Sequence, residues 1–226
     1  MDTPSFGLTS NPGFWDGFAG RCSAMFSSLQ QWRGTSVLAL GESFGDASET
    51  GKAGQVVQRL SRLNPALRVV SQCAASQDLL AAGRLAAGYG RRSFDAVLVF
   101  IGPAQLHAFE NEGNFEEAAE HALAAIARSG RRAFLITALD VQVPPGQPES
   151  AIFARRRRWL ERTLRELCGR HGVEWVPLLE EEGCVVSGGV GSLNFSVDGF
   201  RPVEDPHEMW TARMLEQPAL AQLVFH

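Results

Sequence analysis

Leu38-Ala39-Leu40-Gly41-Glu42-Ser43-Phe44-Gly45 is an apolar run that ends in a small turn carrying a serine. Uninterrupted apolar residues over so short a span predict a strand buried on both faces, not one that alternates between core and water. In an open parallel sheet, ligands bind outside the carboxyl ends of the strands, so Ser43 holds a candidate nucleophile position.

Two periodicities alternate outward from this strand. Val56, Val57, Leu60 and Leu63 form the apolar stripe of a helix that Pro65 closes. Strands then follow near 67–71, 96–101, 133–138 and 173–176, separated by helices near 77–87, 115–128 and 151–170. Residues 96–101, Ala-Val-Leu-Val-Phe-Ile, are apolar on both faces, as a parallel strand covered by helices on either side requires. The predicted fold class is α/β, a three-layer α/β/α sandwich around a central parallel five-stranded sheet. Residues 141–149 are rich in Pro, Gly and Gln, and 180–194 contain Gly183, Gly188, Gly189 and Gly191, so both read as loops.

Ahead of the first strand, Phe14, Phe18, Cys22, Met25, Phe26 and Leu29 recur every three or four residues, and Asn11-Pro12 signals a helix start. The expected organisation is one domain over 1–226, with 1–33 an amino-terminal helical extension and 34–226 the core. Phe14, Trp15 and Phe18 would either seal the sheet edge or meet a second copy or a partner protein.

With 45% hydrophobic residues, 226 residues build a core of single-domain size. A net charge of -4 argues against a chain that grips nucleic acid through its backbone. No apolar run approaches the roughly 18 residues that span a bilayer, and residues 1–11 lack the basic cluster of a secretory signal, so no membrane partner and a cytoplasmic location are expected. Cys22, Cys73, Cys168 and Cys184 lie far apart, without the pairings of zinc sites, and read as buried or free thiols. Neither a metal nor a cofactor is expected.

Two glycine-containing stretches need separate treatment. Five residues separate Gly45 from Gly51, and Ala53 follows Lys52, which departs from the phosphate-loop pattern at both ends; Asp46 and Glu49 would repel a triphosphate besides. Gly188-Gly189-Val190-Gly191 does not join the first strand to its helix and is no dinucleotide fingerprint. The Arg155–Arg158 run spreads around a helical turn and reads as solvated surface. His121 and His171 fall on helices and read as structural, whereas His107 and His207 follow segments that reach the ligand edge.

The order and spacing of these pieces resemble the SGNH (GDSL-like) hydrolase superfamily, whose members share a flavodoxin-like α/β/α sandwich. Four blocks carry the resemblance, which covers about residues 35–215: a G-D-S turn, a glycine after the second strand, G-x-N-D after the third, and a terminal D-x-x-H-P. Gly41-Glu42-Ser43 matches the first, with Glu42 for the aspartate, and implies Ser43 as the nucleophile. Residues 71–76, Ser-Gln-Cys-Ala-Ala-Ser, occupy the second without its glycine; a backbone N–H near Cys73 can still serve an oxyanion hole. Gly102-Pro103-Ala104-Gln105 occupies the third, so Ala104 replaces the oxyanion-binding asparagine and the neighbouring Gln105 amide is the available substitute.

The fourth block, from Asp198 to His207, fits except that Arg201 stands at the histidine. Guanidinium stays charged and cannot take the serine's proton. His207, six residues later, and His107 are the histidines available as a displaced base, although the family position of His207 usually begins the terminal helix. The resemblance therefore implies one of two functions. One is an esterase-like hydrolase of altered chemistry on a small anionic acyl substrate, with Ser43 as nucleophile, Asp198 or Glu42 as acid or base, and Arg201 as an anion clamp. The other is a degenerate member that binds a ligand or partner without hydrolysis.

Overall fold

The computed structural model describes residues 35–42, 56–74, 77–107, 112–139, 148–178 and 207–225. The expectations for the amino-terminal helix, the 45–52 stretch, the 180–194 loop, Ser43, Asp198, Arg201, Cys22 and Cys184 lie outside the described residues.

The chain runs β1 (Ser36–Glu42), α1 (Val56–Leu63), β2 (Arg68–Ala74), α2 (Leu79–Ala87), β3 (Phe94–Ile101), α3 (Ala104–His107), α4 (Glu112–Ser129), β4 (Gly130–Thr137), α5 (Pro148–His171), β5 (Glu174–Pro177), α6 (His207–Leu215) and α7 (Pro218–Phe225). All five strands pair in parallel in the order β2-β1-β3-β4-β5. This is the flavodoxin-like order, with its topological switch at β1 and β3. The predicted alternation holds in kind and order. One boundary differs: residues 148–149 belong to the first turn of α5, because Pro148 suits the opening turn of a helix, where its missing N–H would be unsatisfied in any case.

Burial follows from the apolar runs. Val37 to Leu40 and Ala96 to Ile101 are buried throughout, as strands covered on both faces must be. On one face Val37, Ala39, Ala96, Leu98, Phe100, Phe134 and Ile136 pack in one cluster with Val56 and Leu60 of α1, Trp210 and Met214 of α6, and Leu220 and Val224 of α7. The other layer contains α2, α4 and α5. Gly83 of α2 lets that helix close on α4 so tightly that an added Cβ would lie 2.4 Å from the Ala122 Cβ. Phe115 of α4 and Trp159 of α5 meet edge to face at 5.8 Å.

The amino edge of the sheet is locked by polar contacts. The Asp95 carboxylate accepts from the Ser36 N–H at 2.9 Å and its hydroxyl at 2.8 Å, and the Asp95 N–H donates to Ser36 Oγ at 3.2 Å. These bonds fix β1 against β3 at the end opposite the candidate site.

Within α5 the arginine run divides by helical phase. Arg155 and Arg158 are exposed, as expected of solvated surface. Arg156 instead donates through Nη1 to the Leu106 carbonyl at 2.6 Å, and Arg157 pairs with Glu161 at 2.8 Å with both side chains nearly buried. Half of the run is therefore structural, a correction that follows from the rotation of about 100° per residue.

Candidate active site at the carboxyl edge of the sheet

The site is built where β1 and β3 end. β1 leaves extended geometry at Gly41, whose φ is +100°, a region that L side chains rarely adopt. An added Cβ there would fall 2.0 Å from the Phe100 carbonyl oxygen, so only glycine lets the end of β1 lie this close to β3. Glu42 completes the strand, 5% exposed, and Ser43 is the next residue in sequence.

The Gly41 N–H is taken up by a side chain from another loop: Gln77 Oε1 accepts it at 2.8 Å. Gln77 lies between β2 and α2, where its own N–H donates to the Ala74 carbonyl at 3.3 Å. The next residue, Asp78, caps α2 by accepting from the Ala81 N–H at 2.7 Å. Sequence reasoning missed Gln77; the available signal was a carboxamide immediately before a helix cap at a ligand-edge loop.

The third loop is short and helical. After Ile101, Gln105 and Leu106 donate their N–H groups to the Gly102 and Pro103 carbonyls at 3.1 and 2.9 Å, forming the turn α3. Gln105 is 1% exposed, and its Oε1 accepts from the Leu79 N–H at 2.9 Å. That contact identifies the oxygen of the carboxamide and leaves its two N–H bonds as the donating side. Arg156 holds the Leu106 carbonyl from α5, so α3 is anchored to two helices of the same layer, α2 and α5.

The remaining candidates are placed as follows. Cys73 lies within β2 opposite Gly41, buried and in no disulfide. Ala104 opens α3 and His107 ends it. His207 is the first residue of α6, the position the family resemblance implied. The structure thus brings Glu42, Gln77, Gln105 and the turn of Ala104 and His107 to the switch-point edge. Among the described residues no cluster of His, Cys, Asp and Glu could hold a metal, and no helix is long and apolar enough to cross a membrane.

No protein-family model matches the sequence, and no curated protein matches it. Solved structures do match in fold. TesA superposes with a TM-score of 0.60 at 16% identity, over 84% of this chain and 99% of that one. A lipolytic protein of the G-D-S-L family from Veillonella parvula gives 0.57 at 10% identity, over 81% and 97%. A catalytic mutant of the acetylxylan esterase from Geobacillus stearothermophilus gives 0.59 at 13% identity, over 87% and 98%. The chain therefore has an SGNH hydrolase-like fold, in agreement with the resemblance carried by its sequence blocks.

Proposed function

We propose that this chain is an SGNH-fold hydrolase that cleaves a small anionic acyl ester with a rearranged catalytic set centred on Ser43. The observation that carries the reading is the end of β1. A positive-φ glycine at the topological switch point, packed against the β3 backbone and held by Gln77, comes two positions before Ser43 in the sequence.

In this mechanism the Ser43 hydroxyl attacks the acyl carbonyl carbon while its proton passes to the carboxylate of Glu42 or Asp198. The proton goes on to the departing alkoxide, and water then releases the acyl group by the reverse sequence. Backbone N–H groups near Cys73 and the Gln105 amide stabilise the oxyanion in place of the asparagine that Ala104 replaces. Arg201 binds the anionic part of the substrate. Catalytic mutants of the acetylxylan esterase carry alanine at an aspartate or at a histidine three residues later. The same spacing in this chain joins Asp198 to Arg201, which motivates an anion clamp in place of a base.

The test is turnover of small acetyl esters with and without a carboxylate or phosphate group. Ser43→Ala should lower kcat/KM by at least about 100-fold, and Arg201→Ala should remove the preference for anionic esters. Unchanged turnover in both variants refutes the reading. Ligand binding without turnover, insensitive to Ser43→Ala, would favour a degenerate binding protein, an outcome consistent with the replacements at 104 and 201.

A further inference from the structure

The candidate active-site loops are stitched together by two glutamines. Gln77 carries its carboxamide oxygen back to Gly41 at 2.8 Å, across 36 positions of sequence. Gln105 does the same for Leu79 at 2.9 Å, and is itself buried. The first bond joins the loop after β2 to the end of β1, and the second joins the turn after β3 to the start of α2, so the ends of β1, β2 and β3 form one connected unit.

The base of Gln77 is fixed. Its backbone N–H is bonded to Ala74 and its neighbour Asp78 is committed to capping α2. The side chain therefore reaches Gly41 from a rigid support and takes the N–H of the residue at which β1 turns. The bonded residue lies two positions before Ser43, where small displacements matter: about 1 Å of misplacement can cost on the order of 100-fold in rate.

We propose that Gln77 is a positioning residue for Ser43, acting through the end of β1: its carboxamide oxygen fixes the Gly41 backbone, while Gln105 holds the Gln77 loop in place through Leu79. The proposal rests on the reading of Ser43 as nucleophile, but its hydrogen bond can be tested without activity.

Gln77→Leu removes the acceptor at similar volume, and Gln77→Glu retains an oxygen at the same reach. Two quantities are measured on the full chain: the second-order rate of fluorophosphonate labelling at Ser43, and hydrogen exchange at the Gly41 amide. Gln77→Leu should slow labelling by about 10- to 100-fold and speed Gly41 exchange about 3- to 10-fold. Gln77→Glu should stay within about threefold of the parent on both. Should Gln77→Leu fail to fold, Gln77→Asn, one methylene too short, is read in its place. Parent-like labelling in Gln77→Leu, or equal losses in Leu and Glu, overturns the proposal. If the parent itself is not labelled, the nucleophile reading fails separately and Gly41 exchange decides: faster exchange in Gln77→Leu alone supports the bond's role, and unchanged exchange overturns it.

Discussion

At the scale of single residues, the site and the core make opposite demands. Gly41 is required by its surroundings, since both its φ and the nearby Phe100 carbonyl exclude a side chain. Cys168 shows the other extreme, a polarisable group that the core keeps neutral. It is 1% exposed on α5, and burial pushes its thiol from 9.0 up to about 12. An unfolded chain releases that proton from about pH 9 upward, whereas the folded chain retains it until about 12. Between those values the unfolded state binds fewer protons, so stability should fall as pH rises. Urea unfolding at pH 8 and pH 10.5 should show this decline, and Cys168→Ala should flatten it. An equally steep decline in the variant would place the cause in another group. The thiol was legible as buried or free; the choice between the two was not, because burial depends on which face of α5 meets the sheet.

At the scale of elements, periodicity identified the strands and most helices, because strands of the central sheet are apolar on both faces and long helices carry a clear stripe. It missed α3, a single turn too short for periodicity to register, α6, whose start only the family resemblance implied, and α7, whose Pro218 start sits only three residues after α6 ends. It also treated the arginine run as one feature, although helical rotation sends Arg156 and Arg157 inward and leaves Arg155 and Arg158 outside. Glycines within helices give a direct test of the packing. Gly83 lies against Ala122, so Gly83→Ala must push α2 from α4 and should destabilise by about 1–3 kcal/mol. Gly169 on α5 has no atom within 4 Å of an added Cβ, and Gly169→Ala should stabilise by about 0.5–1 kcal/mol. Thermal melts of the two variants should move in opposite directions; a shift of the same sign in both would contradict the packing of α2 on α4.

At the scale of the molecule, the fold was legible in the sequence because order and spacing of short blocks survive where individual residues change. The parallel sheet in flavodoxin-like order and the fold matches to TesA and to the esterases agree with that reading. The supporting contacts of the site were less legible. Gln77 and Gln105 act through long-range bonds to backbone N–H groups, which no local pattern announces. The central claim is that this framework still presents an activated serine despite Arg201 at the histidine position. The most direct measurement is intact mass after treatment with a fluorophosphonate, followed by peptide mapping, since this reagent modifies serines made nucleophilic by their surroundings. The account predicts a single adduct on Ser43, absent in Ser43→Ala. An unmodified parent, or an adduct elsewhere that persists in Ser43→Ala, would contradict it and identify the fold as one that binds without acyl transfer at Ser43.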